Sequence, residues 1–162
     1  QDVRLPVKKE KLADGREVNT SEKFEIGRNF GTKIFNASKL ILMNLDGYTP
    51  GPIDPETLDP EDQWIILRLQ ETIEQVTKGI DSFAFAEVAR QLYDFVWGEL
   101  CDWYIELIKP RLREGGSGRG EAQRVAATVL DGTVRLLHPV MPFVTEEVWH
   151  ALNEAAPSRG VD

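Results

Sequence analysis

The sequence predicts an all-α fold: an antiparallel helical bundle of four long helices plus a short fifth, behind a short non-helical N-terminal leader. Three observations carry this. Apolar residues recur at helical spacing through four long segments. Clusters of Pro, Gly, Asp and Ser separate those segments. Seven of the fourteen aromatic residues gather between Phe83 and Lys109, on an apolar arc too wide for one neighbour to cover.

Residues 1–20 read as a leader. Val3, Leu5 and Val7 alternate, Pro6 interrupts, Asp14-Gly15 is a turn signal, and Lys8, Lys9 and Lys11 make the segment basic. Starting in mid-pattern, it reads as a connection leaving something larger. The bundle is expected over residues 21–154. Asn19 and Glu22 have capping-box spacing around Ser21, so the first helix should run from about Ser21 to Leu45. Its core stripe is Phe30, Ile34, Ala37, Ile41 and Leu45, with Phe24 and Phe35 alongside. Gly27 and Gly31 each cost about 1 kcal/mol relative to Ala in a helix, which points to close packing of a neighbour.

Asp46 to Pro60 is a linker rich in turn formers. Asp59-Pro60 then starts a second helix, with Asp as N-cap and Pro at the first helical position. Ile65, Leu69, Ile73, Val76 and Ile80 fall on one face. The aromatic helix follows with two adjacent stripes. One is Phe85, Ala89, Leu92, Val96, Leu100, Trp103 and Leu107; the other is Tyr93, Trp97, Cys101, Tyr104 and Ile108. Pro110 should end or kink it, ahead of a flexible Gly-rich loop from Glu114 to Gly120. The fourth helix is expected from about Glu121 to Leu137, with Val125, Val129, Thr133 and Leu136 inward. After His138-Pro139, Pro142 opens a short fifth carrying Val144, Val148, Trp149 and Leu152. Residues 155–162 are a small, polar tail expected to fray.

Composition narrows the function classes. A chain of 162 residues can bury roughly 70% of its unfolded surface without a staple. Cys101 is its only cysteine, which excludes a disulfide framework and a Cys-based zinc site and fits a reducing, cytoplasmic setting. No run approaches the length of a membrane span. The net charge of −8 is uneven: residues 1–45 carry nine Lys/Arg against six Asp/Glu, while 46–120 carry seven against fifteen. Such a chain repels nucleic acid at long range yet offers a basic N-terminal quarter for local contact.

Catalytic constellations are thin: no Gly-rich phosphate loop follows a strand, and no Cys–His pair has useful spacing. His138 fits a helix C-terminal cap. Glu147-Val-Trp-His150 matches the Glu-x-x-His pattern of carboxylate-bridged metal bundles, but those need a second copy and two further inward glutamates, which the sequence lacks. No catalytic or metal residue is assigned. The polar face of the first helix is richer. Arg28, Asn29, Thr32, Lys33, Asn36, Lys39 and Asn44 share one arc opposite the core stripe. Lys and Arg can neutralise phosphates there, and Asn can both donate to and accept from unpaired base edges.

Three segments in order carry a family resemblance. Arg28-Asn-Phe30 through Lys33-Ile-Phe-Asn-Ala-Ser-Lys-Leu40 resembles the first helix of the anticodon-binding domain of valyl-tRNA synthetases. Leu92-Tyr-Asp-Phe-Val-Trp97, followed by Cys101-Asp-Trp-Tyr-Ile-Glu-Leu107, is similar to that domain's central signature. Leu136-Leu-His-Pro-Val-Met-Pro-Phe-Val-Thr-Glu-Glu-Val-Trp149 is similar to its closing helices, a pattern shared with the Ile and Leu enzymes. The likeness covers about Lys23 to Leu152. It implies a piece of a class Ia synthetase whose catalytic and editing domains lie elsewhere in the polypeptide, with the HIGH and KMSKS motifs absent here. It further implies no cofactor for this segment, ATP with Mg2+ serving the parent enzyme, a monomer, and the tRNA(Val) anticodon stem-loop as partner. The positions carried over for RNA contact are Arg28, Asn29, Lys33, Asn36, Lys39, Leu40 and Asn44. Members of that family commonly carry Arg-Phe where Lys39-Leu40 stand and often Trp where Phe35 stands. An aromatic at position 40 could stack on a base for roughly 1–3 kcal/mol, whereas Leu40 offers apolar contact alone. The alternative from another class is a protein-interaction bundle, which would use an exposed apolar patch in place of the basic face.

Overall fold

A β-hairpin and five helical rods make up the computed structural model, which describes residues 6–113 and 116–159. Strands β1 (Lys8–Lys11) and β2 (Glu17–Thr20) pair antiparallel, Lys8 opposite Thr20 and Lys11 opposite Glu17. The Asp14-Gly15 signal is realised in the turn: Gly15 takes φ +85°, and its N–H donates to Leu12 O at 2.9 Å. The alternation expected at Val3 and Leu5 lies outside the described residues.

Helix α1 (Glu22–Met43) begins without the expected capping box. Ser21 is the N-cap, its hydroxyl bonds no backbone N–H, and Asn19 is held in β2 opposite Lys9. Strand pairing has taken the residue that capping would have used. Along α1 and just past its end, Ile34, Ser38, Ile41 and Leu45 point into the core, whereas Phe24 and Phe35 are exposed, contrary to their expected place beside it. Gly31 meets Met141, whose Cε would lie 3.2 Å from an added Cβ, so the close-packing reading holds there. It fails at Gly27, which has nothing within 4 Å.

Helix α2 (Pro60–Asp81) starts with Asp59 as N-cap and Pro60 at its first position, as the sequence predicts. Its buried face is Asp62, Ile65, Leu69, Thr72, Val76 and Gly79; Ile73 and Ile80 are exposed. Gly79 belongs to that face because a Cβ there would stand 2.6 Å from Val88 Cγ2, leaving no room for a side chain.

The aromatic rod departs from a single α-helix. It runs as α3 (Phe85–Tyr93), an eleven-residue π-helical stretch (Asp94–Tyr104) and α4 (Ile105–Leu112). The N–H of Ile105 reaches Leu100 O, the i→i−5 bond that defines the π form. The wider turn resets the phase of everything after it. Phe95, Leu100 and Ile105 are buried at intervals of five, as are Val96 and Cys101, while Trp103 and Leu107, expected inside, face solvent. Pro110 does not end the rod. The helix continues to Leu112, whose burial and the ion pairs of Arg111 outweigh the backbone bond Pro110 removes.

Helix α5 (Arg119–Leu137) is the true centre, since eleven of its residues are buried and it packs on α1, α2, α4 and α6. The aromatic rod lies, as its wide arc requires, between α1 and α2. Small residues bring α5 close to its neighbours: a Cβ at Gly132 would fall 2.8 Å from Leu69 Cδ2. Helix α6 (Pro142–Ala155) closes the bundle against α1 and α5. The segment after it is fastened. Ala156 is buried, and Arg159 bonds Asp131 Oδ1 through Nε (3.0 Å) and Nη2 (2.5 Å), so the expected fraying does not reach Arg159.

A buried polar cluster ties the start of α2 to the end of the rod. Tyr104 donates its hydroxyl to Asp62 Oδ1 at 2.8 Å, and Arg111 Nη1 donates to Asp62 Oδ2 at 2.7 Å. Arg111 also reaches Glu61 at 3.1 Å and Asp59 at 3.0 Å. Burial pushes the Asp62 carboxyl above its ordinary value, against the pull of Tyr104 and Arg111. It raises the Tyr104 phenol well above its own, leaving that hydroxyl a proton donor at neutral pH.

Candidate nucleic-acid interface

With Ile34, Ser38 and Ile41 turned inward, helical periodicity sends Arg28, Thr32, Phe35, Asn36, Lys39 and Met43 outward, and all six are exposed. Arg28 and Lys39 are eleven residues apart, roughly 16 Å along the axis. Neither makes an ion pair with another described residue. Several cations elsewhere in the bundle are matched by acids. Arg68 grips Glu99 bidentately at 2.7 and 2.8 Å, Arg90 pairs with Glu87 and Asp94, and Asp131 takes both Arg135 and Arg159. The outer ridge of α1, by contrast, keeps two open cations.

The seven residues singled out from sequence separate into two groups. Arg28, Asn29, Asn36 and Lys39 are exposed and lie together along the ridge. Lys33, Leu40 and Asn44 are partly buried on the flank. Leu40 packs against the core. Asn44 Nδ2 donates to Leu40 O at 2.8 Å, while the backbone O of Asn44 accepts from Gln123 Nε2 at 2.8 Å, so this amide closes the end of α1.

Lys33 sits in the α1–rod groove. Its ammonium lies 4.0 Å from the centroid of the Trp97 ring and forms an ion pair with Asp102. A ladder of rings extends from it: Trp97 stacks on Tyr93 with centroids 5.4 Å apart, and Tyr93 stacks on Phe30 at 5.3 Å. Because Phe30 meets Tyr93 and Lys33 meets Trp97 and Asp102, α1 and the rod run in the same direction here.

Two features escaped the sequence reading. Phe35 is 48% exposed on the ridge between Thr32, Asn36 and Lys39, an aromatic surface where the stripe pattern places a residue beside the core. The signal was present, because Phe35 lies next to Asn36 and a quarter-turn from the Ile34 stripe. The acidic partner of Lys33 left no such trace, being 69 residues away in the chain.

Other chemistry is spare. Among the described residues no group of three or more His, Cys, Asp or Glu is placed to hold a metal ion. His150 pairs with Glu146 at 3.1 Å on the exposed side of α6. A cleft of about 270 Å3 between α5 and α6 is lined by Arg135, His138, Thr145 and Trp149. Thr145 Oγ1 lies 2.9 Å from both Met141 O and His138 Nδ1, closing the α5–α6 turn. Burial pushes the Cys101 thiol up to about 11, leaving it protonated and unreactive at neutral pH. No helix among the described residues is long and apolar enough to cross a membrane.

Comparison with known proteins adds a second line. The family model described as the anticodon-binding domain of tRNA ligase matches residues 62–159. The chain is 46% identical over 150 residues to a valine–tRNA ligase of Thermosynechococcus vestitus, an alignment covering 90% of this chain and 16% of that protein. It is 50% identical over 141 residues to the corresponding ligase of Rhodopirellula baltica, covering 87% and 14%. With that of Halalkalibacterium halodurans it shares 53% over 133 residues, covering 81% and 15%. The chain thus spans about one sixth of the length of these relatives. The family match begins inside α2, but an alignment covering 90% of the chain cannot omit α1.

Proposed function

The chain belongs to the anticodon-binding domain family of tRNA ligases, and from that premise we propose that it grips the anticodon stem-loop of a valine-accepting transfer RNA along the outer ridge of α1. The observation carrying this reading is the open ridge itself, with Arg28 and Lys39 free of ion pairs among the described residues and Asn29, Phe35 and Asn36 exposed beside them. The two cations would engage phosphates, which position without reading sequence. Asn29 and Asn36 can satisfy the donor and acceptor pattern of a base edge, and Phe35 supplies a face for an unpaired base. Leu40 adds apolar contact on the flank.

Valine specificity follows the valine–tRNA ligases among the relatives. In this reading the chain acts as a monomeric module of a longer cytoplasmic ligase. Aminoacylation with ATP and Mg2+, and editing, belong to other domains of that polypeptide. No step of that chemistry is assigned to these residues. Contact with those domains is supported by exposed apolar side chains around the start of α1 and the α2–α3 and α5–α6 turns, among them Phe24, Phe83, Phe85 and Phe143.

The test is fluorescence anisotropy at low salt with two labelled RNA hairpins, one carrying a valine anticodon loop and one the same stem with the loop bases replaced. Tighter binding of the first hairpin, lost progressively as salt rises, is expected. Equal binding of both would remove the valine reading, and binding of neither would remove the RNA reading.

A further inference from the structure

Lys33 lies within the same patch as Arg28 and Lys39, yet the fold treats it differently. Its side chain is 26% exposed, its charge is matched by Asp102, and its ammonium rests on the Trp97 ring. A cation already matched by a carboxylate is poorly placed to displace counterions from an arriving phosphate. The arrangement depends on the π-helical stretch. In an α-helix two residues five apart project roughly 140° from one another. With i→i+5 bonding they stand nearly in one column, and Trp97 and Asp102 are such a pair. The eleven-residue stretch therefore builds a socket of one ring face and one carboxylate, and Lys33 fills it. Below the socket, the Trp97–Tyr93–Phe30 stack fastens α1 again, one turn nearer its start.

We propose that Lys33 is a positioning residue: the Trp97–Asp102 column locks α1 against the rod so that Arg28, Asn36 and Lys39 meet the RNA in register, and Lys33 itself contacts no phosphate. This rests on the RNA-binding reading above and reassigns one residue within it. A phosphate contact at Lys33 would compete with Asp102, so removing the carboxylate would strengthen RNA binding. A positioning role gives the opposite sign.

The experiment uses the full chain and a labelled anticodon stem-loop hairpin, with Kd measured across a monovalent salt series for Lys33→Met, Asp102→Asn, the double variant and Lys33→Arg. Each of the first two weakens binding by about three- to tenfold, the range expected when one of two coupled neighbours is lost. The double variant is no weaker than the worse single one, and the slope of log K against log salt stays at its original value in all four. Lys33→Arg, which keeps both the charge and the cation–π contact, binds within about twofold of the original chain. Circular dichroism checks that the half-exposed Asp102→Asn variant is folded, so the sign of its effect stands on its own. A slope shallower by about 0.7–0.9 for Lys33→Met, or tighter binding by Asp102→Asn, overturns the inference and leaves the RNA reading intact. Unchanged affinity in both single variants also overturns it. Failure of the unaltered chain to bind the hairpin refutes the RNA reading and the inference with it.

Discussion

Replacing Arg111 with leucine tests the buried cluster that joins α2 to the rod. Asp62 is fully buried, and Arg111 is its one cationic partner among the described residues, at 2.7 Å. Removing a single member of a buried ion pair costs about 3–5 kcal/mol, because the remaining charge is left without compensation. The structure sets a ceiling on that loss, since Asp62 can escape by taking up a proton. From the ordinary value of 3.8, protonation at pH 7 costs about 4 kcal/mol at 1.36 kcal/mol per pH unit. Burial already raises the Asp62 carboxyl, which lowers the ceiling. The more exposed contacts to Glu61 and Asp59 add at most about 1 kcal/mol each. The variant should therefore lose about 3–4 kcal/mol at pH 7. At pH 5 the same escape costs only about 1.6 kcal/mol, so the loss should fall by roughly half. The sign agrees with linkage: a carboxyl whose folded pKa is raised favours the native state below its unfolded pKa, and that contribution is lost as pH rises through the folded value. Urea unfolding of the original chain and Arg111→Leu at the two pH values measures it. A loss under 1 kcal/mol at pH 7, or one that does not change with pH, would refute the reasoning.

Three further outcomes follow from the packing. Gly27→Ala should raise stability by about 0.5–1 kcal/mol in thermal unfolding, because the helix interior gains a better former and nothing stands within 4 Å of the new methyl group. Gly79→Ala should destabilise by about 1–3 kcal/mol, since its methyl group would press on Val88 Cγ2, and adding Val88→Ala should recover part of the loss. Phe35→Ala should leave the melting temperature within about 2 °C and weaken hairpin binding by about 1–3 kcal/mol; a large fall in stability with unchanged binding would return Phe35 to a packing role.

Local chemistry was legible in the sequence, and long-range partnership was not. Asp59-Pro60, Pro142 and the Asp14-Gly15 turn were readable because each fixes its own backbone. The α1 core stripe was readable because Ile34, Ile41 and Leu45 follow the ordinary helical period. The aromatic rod broke that rule. A regular period places Trp103 and Leu107 inside, and both follow the π stretch and face solvent, whereas Phe95 is buried at ordinary helical spacing from Val88 and Leu92 while Phe85 is exposed. On α2 the predicted face holds at Ile65, Leu69 and Val76 but not at Ile73 and Ile80, because Gly79 is buried by its lack of a side chain and Ile80 is left outside. For the interface, the ridge residues Arg28, Asn29, Asn36 and Lys39 were visible as a polar arc. Separating Lys33 from them required seeing Asp102 and Trp97, which the fold brings to it from the next-but-one rod.

The central claim, that the outer ridge of α1 takes an RNA stem-loop through its two open cations, is tested most directly by salt dependence. Hairpin affinity would be measured from low to moderate salt for the original chain, Arg28→Ala, Lys39→Ala and, as a control, Lys78→Ala on exposed α2. Arg28→Ala and Lys39→Ala should each make the slope of log K against log salt shallower by about 0.7–0.9, with Lys78→Ala matching the original. Identical slopes in all four proteins would contradict the claim.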